Sequence, residues 1–157
     1  MIKLKNKKIK PSSREWVSRH LRDKYVSKAK SHGYKSRSAY KLLEIDKKFN
    51  IFNKRKLFLD LGSAPGGWTQ VAIENINNGK ILSVDILKMD SIDNSDFILG
   101  DFTDDKIKEE IKKYFNTKLD IIVSDMAQNT TGNKNIDSLN TGNLVEEVLI
   151  FSKTMIK

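Results

Sequence analysis

The sequence predicts one α/β domain whose sheet is mostly parallel and is flanked by helices. Three observations support this fold class. The chain has 157 residues and is 38% hydrophobic, which is enough apolar material for one core but short for two domains. From residue 57 onwards, short apolar runs alternate with segments of helical spacing, as in βαβ units. These runs are almost uniformly apolar, as expected for strands that are buried on both faces.

Two helices are predicted before residue 57. The first begins just after Pro11 and carries Trp16 and Leu21 at helical spacing. The second begins near Ser36 or Ser38, because either hydroxyl can cap a helix. The apolar side chains of this second helix recur at steps of about three and four residues: Ala39, Leu42, Leu43, Ile45 and Phe49.

Four short apolar runs predict the strands, at residues 57–61, 81–86, 97–99 and 119–123. Helical spacing predicts further helices over 68–76, 104–115 and 144–157. No strand follows the last of these helices. Because a parallel strand needs partners and covered faces, we expect the sheet to be incomplete at residue 157, with its last strands missing.

Charge is distributed unevenly along the chain. Residues 1–56 hold 19 Lys or Arg against 4 Asp or Glu, a balance of +15, whereas residues 57–157 have a balance of −6. A positive segment beside an acidic body suits a polyphosphate partner, because Lys and Arg release the counterions of the phosphates that they contact. The alternative is a solvated tail that aids solubility. We therefore expect a basic, flexible tail over 1–13 and a domain over 14–157, in which 14–56 is basic and helical and 57–157 holds the ligand site.

Composition excludes several classes of protein. The chain has no cysteine, which excludes a disulfide scaffold, a zinc-thiolate site and a cysteine nucleophile. The two histidines have no metal-ligand partner at a useful spacing, so no metal site is expected. No apolar run approaches the ~20 residues of a membrane span, and the basic start is not followed by the apolar run of a signal peptide. We expect a monomeric protein of the cytoplasm, or of an organellar matrix, with no membrane partner.

The strongest local signal is the glycine-rich turn after the first predicted strand, with the sequence LDLGSAPGGW over 59–68. Such a turn lies at the carboxyl edge of a doubly wound sheet, where ligands bind, and glycine there lets a ligand approach the backbone. The spacing is G-x-x-x-G-G rather than G-x-G-x-x-G, and no G-K-[ST] follows. A loop that cradles a pyrophosphate, and hence a nicotinamide oxidoreductase, is disfavoured.

Three aspartates follow successive predicted strands at the same edge. Asp85 ends the second strand, 23 residues after Gly62, where a carboxylate can accept hydrogen bonds from a ribose diol. Asp101 follows the third strand and Asp125 the fourth. Each of them alone could be a capping or turn aspartate. Together, after three successive strands, they favour a cofactor that contains adenosine.

Four ordered blocks of this sequence resemble the FtsJ/RrmJ family of ribosomal RNA 2′-O-ribose methyltransferases. They are SRSAYKLLE at 36–44, DLGSAPGGW at 60–68, GDF at 100–102 and SDMA at 124–127, within a resemblance that runs from about residue 12 to the end. It is closest to the bacterial and organellar enzymes that methylate a uridine ribose in 23S-type RNA of the large subunit. The resemblance implies a Rossmann-like methyltransferase fold, S-adenosylmethionine as cofactor, and ribosomal RNA or the large ribosomal subunit as partner.

The resemblance also implies roles for individual residues. Asp85 matches the acid on the cofactor ribose, and Asp101 matches the acid near the adenine. Lys41 and Asp125 match two members of a Lys-Asp-Lys-Glu catalytic set, and Asp125 also belongs to the cofactor region. The residues expected in the cofactor loop are Gly62, Pro65, Gly66, Gly67 and Trp68.

In this chemistry Lys41 would assist the loss of the ribose hydroxyl proton, as a neutral base or as a stabilising charge, and Asp125 would orient it. Without the motif, Lys41 would be interpreted as an exposed helix lysine paired with Glu44. The second lysine and the glutamate of the set would lie beyond residue 157, so the resemblance implies cofactor binding but little turnover by these 157 residues. The chain also has Gln128 where family members commonly have proline.

Two alternatives to methylation of ribosomal RNA stay open. The same chemistry could act on transfer RNA or messenger RNA, since Lys and Arg contact phosphate without reading sequence. From a different class, the chain could be a non-catalytic RNA-binding protein of ribosome assembly that retains the cofactor fold.

Overall fold

The computed structural model describes residues 23–127 and 132–157, which form five helices and four strands. The predicted tail over 1–13, the predicted helix around Trp16, and Gln128 lie outside the described residues. In chain order the elements are α1 (Lys24–Ser31), α2 (Ala39–Phe49), β1 (Leu57–Leu61), α3 (Gly67–Asn75), β2 (Lys80–Asp85), β3 (Asp96–Leu99), α4 (Asp105–Phe115), β4 (Ile121–Ser124) and α5 (Lys134–Met155).

The four strands form one parallel sheet in the order β3-β2-β1-β4. Leu59 of β1 lies between Leu82 of β2 and Ile122 of β4, in the middle of the sheet. The predicted α/β fold class and parallel sheet are therefore confirmed. The strand β1 spans its predicted residues, and the other three strands differ from prediction by one or two residues at their ends.

Helices cover both faces of the sheet, as the apolar runs predict. On one face, Phe58 packs with residues of α2 and α3 such as Leu42 and Val71. On the other face, Leu59 packs with residues of α4 and α5 such as Phe115. Neighbouring residues of β1 thus point into opposite cores, which is why the strand has to be apolar on both sides.

Polar residues determine where several helices begin and end. Asp23 caps α1 by accepting a hydrogen bond from the Tyr25 N–H at 2.8 Å, and Asp104 caps α4 through the Lys106 N–H in the same way. Ser38 precedes α2 as predicted, but its hydroxyl makes no capping bond. The Ser38 Oγ instead lies 2.5 Å from the Oγ of Ser36.

The helix α5 begins at Lys134, ten residues before the predicted start. Its first half contains Asn, Ser, Thr and Gly, which are poor helix formers, so the sequence gives little sign of it. The side chain of Asn133 caps this half by accepting from the Asn135 and Ile136 N–H groups. After α5, Ile156 forms a parallel bridge with Leu119 beside β4. In the part of the chain described by the structure, no helix is both long and apolar enough to cross a membrane.

Candidate functional site

A cavity of about 360 Å³ opens at the carboxyl ends of the central strands. The strand order changes direction between β1 and β4, and ligands of parallel sheets bind at such a point. Asp85, Asp101 and Asp125 all line this cavity, so the fold brings together the three acids selected from the sequence. Apolar side chains also line it, among them Val84, Ile86, Phe102 and Leu144.

Asp85 connects the glycine-rich turn to the loop after β2. Its Oδ2 accepts from the Ala64 N–H at 2.8 Å, and its Oδ1 accepts from the Leu87 N–H at 2.7 Å. Each carboxylate oxygen has capacity for a second hydrogen bond. Asp85 can therefore hold the loop in place and still accept hydrogen bonds from a bound diol.

Asp101 is both a turn aspartate and a residue of the cavity wall, the two interpretations that the sequence left open. Its Oδ1 accepts from both the N–H and the hydroxyl of Thr103, at 2.9 and 2.7 Å, which is the bonding pattern of a turn aspartate. The same exposed side chain also lines the cavity. Its turn role is therefore compatible with contact to a ligand.

The glycine-rich turn packs closely against other segments of the protein. Gly62 has a φ of +78°, and a Cβ added there would lie 2.9 Å from the backbone of Met126. Gly66 has a φ of +109°, which also favours glycine. A Cβ on Gly67 would lie 2.3 Å from the Ser36 Oγ. Close approach by the protein's own chain therefore requires glycine here, in addition to any approach by a ligand.

Four residues predicted in the cofactor loop lie outside the lining of the cavity: Pro65, Gly66, Gly67 and Trp68. Trp68 is buried, and its indole Nε1–H donates to the Ser38 carbonyl oxygen at 2.7 Å. Pro65 lines the neighbouring cleft instead. Contact between these four residues and a cofactor stays a prediction.

A larger cleft of about 640 Å³ adjoins the cavity, and we refer to it as the cationic cleft. Its lining includes Lys30, Lys35, Arg37 and Lys41. Asp125 lines both the cationic cleft and the cavity, so it lies at the boundary between them.

Lys41 and Asp125 form an ion pair at this boundary. The Lys41 Nζ donates to Asp125 Oδ1 at 2.9 Å and to Oδ2 at 3.1 Å, although the two residues lie 84 positions apart in the chain. The alternative partner, Glu44, accepts a hydrogen bond from the Tyr25 hydroxyl. The fold thus brings together the two residues for which the family resemblance implies a catalytic role.

Asp60, for which no role is predicted from the sequence, is fully buried in β1. Its Oδ2 accepts from the Thr69 hydroxyl at 2.8 Å, while its Oδ1 has no hydrogen-bond partner among the described residues. Burial raises the pKa of Asp60 to about 7, and the nearby charges of Asp125 and Asp85 also raise it. One signal for Asp60 was present in the sequence, because it is an acid inside the apolar run of β1.

The buried carboxyl predicts that stability depends on pH. Asp60 binds a proton more tightly in the folded than in the unfolded state, so stability is highest below the unfolded pKa and falls as pH rises through about 7. Between pH 5 and pH 8 the free energy of unfolding should fall by roughly 2 to 3 kcal/mol through this group. Chemical denaturation of the wild type and of Asp60→Asn over that pH range measures this change in the free energy of unfolding.

Asp60→Asn should have a flatter pH dependence than the wild type, because the amide does not titrate. Asp93→Asn, in the exposed loop after β2, is the matched control and should retain the wild-type slope. Equal slopes for the wild type and Asp60→Asn would contradict this account of Asp60.

The chemistry of the cavity suits a ligand that combines a nucleoside with positive charge. Carboxylates can accept from hydroxyl and amino groups, and the apolar walls can contact a flat base. Three aspartates line the cavity, and its described lining contains neither Lys nor Arg. Such a lining disfavours a pyrophosphate and favours a cation. Within residues 23–127 and 132–157, no cluster of three or more His, Cys, Asp or Glu side chains could hold a metal ion.

Comparison with known proteins gives a consistent result. The sequence pattern of FtsJ-like methyltransferases matches residues 34–157. A protein of Pelagibacter ubique named ribosomal RNA large subunit methyltransferase E is 46% identical over 144 residues, covering 92% of this chain and 71% of its own length. The protein of that name from Ehrlichia chaffeensis is 48% identical over 138 residues, covering 86% of this chain and 65% of its own length.

A solved structure has the same fold. A crystal structure from Plasmodium falciparum, provisionally described as a ribosomal RNA methyltransferase, superimposes with a TM-score of 0.71 at 37% sequence identity. The match covers 79% of this chain and 73% of that one. With a family pattern over most of its length, relatives above 40% identity and a shared fold, the chain belongs to the FtsJ-like methyltransferase family.

Proposed function

We propose that this protein is an S-adenosylmethionine-dependent methyltransferase that transfers a methyl group to the 2′-hydroxyl of a uridine in large-subunit ribosomal RNA. S-adenosylmethionine is the cofactor of this family, and it combines an adenosine with a sulfonium cation. Both properties suit a cavity lined by Asp85, Asp101 and Asp125. In this proposal Asp85 holds the ribose, Asp101 lies near the adenine, and the glycine-rich turn with Pro65 and Trp68 shapes the site.

The observation that carries the proposal is the ion pair at the boundary of the two spaces. Methyl transfer requires the acceptor and the donor to meet at one point, with the reacting atoms aligned. Asp125 lines both the cavity and the cationic cleft, and Lys41 binds it from the cleft side. A ribose held in the cleft would therefore meet the cofactor beside a lysine.

The chemistry explains why a lysine is useful there. Bound S-adenosylmethionine supplies an electrophilic methyl group, which the 2′-oxygen takes as the carbon–sulfur bond breaks, with the bonding pair left on sulfur and the hydroxyl proton released. Lys41 can accept that proton or stabilise the charge that develops on the oxygen. Asp125 fixes the position of the Lys41 Nζ through two hydrogen bonds.

The choice of ribosomal RNA is supported by the names of the relatives and by the charge of the cleft. Both relatives described above are named for the large-subunit ribosomal RNA. The cationic cleft offers Lys30, Lys35 and Arg37 to a phosphate backbone. These contacts position an RNA without reading its sequence, so the nucleotide has to be identified by experiment.

The test is methyl transfer by the full-length protein from radiolabelled S-adenosylmethionine to three substrates: large ribosomal subunits, naked large-subunit RNA and transfer RNA. We expect incorporation into large-subunit RNA and resistance of the modified position to alkaline cleavage, because a methylated 2′-oxygen cannot attack the adjacent phosphate. Incorporation into transfer RNA alone, or methylation of a base, would overturn the proposal. Binding of RNA without any methyl transfer would favour the non-catalytic alternative.

A further inference from the structure

We infer that Gln70 is a positioning residue that holds residues 33–38 against α3 and thereby sets where RNA lies relative to the cofactor cavity. We call residues 33–38 the bridging segment. The inference rests on the proposed function, because it concerns the position of the cationic cleft relative to the cavity.

The side chain of Gln70 binds the backbone of the bridging segment at two points. Its Oε1 accepts from the Lys35 N–H at 2.7 Å, and its Nε2 donates to the Gly33 carbonyl oxygen at 3.0 Å. A carboxamide presents an acceptor and a donor side by side, so it can pair with a peptide backbone much as an adjacent strand would. Such a contact fixes the position of the main chain whatever side chains it carries.

Two further side chains of α3 bind the same segment. The Trp68 Nε1–H donates to the Ser38 carbonyl oxygen at 2.7 Å, and Glu74 accepts from the Tyr34 hydroxyl at 2.6 Å. Gln70 lies between them in the helix. The bridging segment therefore runs along α3, whose first turn follows directly on the glycine-rich turn.

The bridging segment carries two of the four cationic side chains of the cleft and leads directly to a third. Lys35 and Arg37 belong to the segment and line the cationic cleft, and Lys41 follows in the first turn of α2. Gln70 lines neither the cavity nor the cleft. Because misplacement of reacting groups by about 1 Å can cost roughly a hundredfold in rate, a residue that touches neither ligand can still control transfer.

The experiment replaces Gln70 of the full-length protein with methionine, which has a similar length but cannot make either hydrogen bond. The affinity for S-adenosylmethionine, measured by calorimetry, should stay within about twofold of the wild type, since the Asp85 contacts are intact. The affinity for a large-subunit RNA fragment and the kcat for methyl transfer should each fall by about tenfold. Gln70→Ala removes the same two hydrogen bonds. It should likewise lower RNA affinity and kcat while leaving the affinity for S-adenosylmethionine nearly unchanged.

Asn75→Met is the matched control. The Asn75 Nδ2 donates to the Val71 carbonyl oxygen within α3, so this change removes an amide from the same helix without touching the bridging segment. It should leave RNA affinity and kcat at wild-type values. Thermal unfolding of each variant establishes that it is folded.

Two results would overturn the inference. One is wild-type RNA affinity and kcat in both Gln70 variants, and the other is a loss of cofactor affinity in proportion to the loss of RNA affinity, which indicates general destabilisation. A full-length wild-type protein that transfers no methyl group to large-subunit RNA overturns the proposed function instead. The two failures are therefore distinguishable.

Discussion

Replacing Lys41 with methionine in the full-length protein should lower the rate of methyl transfer by about 10²- to 10⁴-fold, the usual contribution of a positioned acid–base group. Cofactor affinity should be unchanged, because Lys41 lines the cationic cleft but not the cavity. Single-turnover transfer to large-subunit RNA measures the rate, and calorimetry with S-adenosylmethionine measures the affinity. Single-turnover conditions separate the chemical step from product release.

Two further variants sharpen this test. Lys47→Met removes an exposed lysine from the same helix, α2, and should retain the wild-type rate. Lys41→Arg keeps a positive charge that does not deprotonate in proteins, so it separates charge stabilisation from proton transfer. A full rate in Lys41→Met would remove Lys41 from the proposed mechanism.

Replacing Asp85 with alanine should weaken the binding of S-adenosylmethionine by roughly 100-fold or more, since hydrogen bonds to a charged group contribute about 1.5 to 3 kcal/mol each. The substitution removes the acceptor for a ribose diol. It also frees the Ala64 and Leu87 N–H groups, which Asp85 now holds at 2.8 and 2.7 Å. Calorimetric titration with the cofactor and with S-adenosylhomocysteine measures the loss.

Asp93→Ala is the control for Asp85, because it removes an exposed acid from the loop that follows β2. It should bind the cofactor as the wild type does. Asp85→Asn keeps one acceptor oxygen and should lose less affinity than Asp85→Ala. Unchanged affinity in Asp85→Ala would show that the cofactor binds elsewhere in the molecule.

The sheet was predictable because buried parallel strands leave a simple pattern. Apart from Asp60, the run Leu57–Leu61 is apolar, and the structure contains β1 over the same residues. The sequence pattern does not predict the helix α1, because its eight residues include three lysines and few apolar side chains. It depends on the cap at Asp23 and on packing by Ala29, which periodicity does not reveal.

The candidate site was predictable in part. Strand ends placed Asp85, Asp101 and Asp125 at one edge, since parallel strands end together, and the three side chains line one cavity. The partner of Lys41 could not be read from local spacing, which pointed to Glu44. Only the folded chain brings Lys41 to Asp125, 84 positions away.

The role suggested for Gln70 had no signal in the sequence. Its two hydrogen bonds join it to backbone atoms 35 and 37 positions earlier, and such contacts depend on how α3 packs against the bridging segment. The lack of room for a Cβ on Gly67, because of the nearby Ser36 side chain, likewise depends on packing between elements. Pattern and propensity describe single elements, whereas these residues act between elements.

The hydrogen bond from the Trp68 indole to Ser38 gives the molecule its own spectroscopic reporter. The sequence contains two tryptophans, and this one joins the helix after the glycine-rich turn to the segment that carries the cleft. We therefore expect its indole proton resonance to respond to movement between those two parts. The packing of the bridging segment against α3 can thus be followed in solution, during titration with cofactor or RNA, without attaching a label.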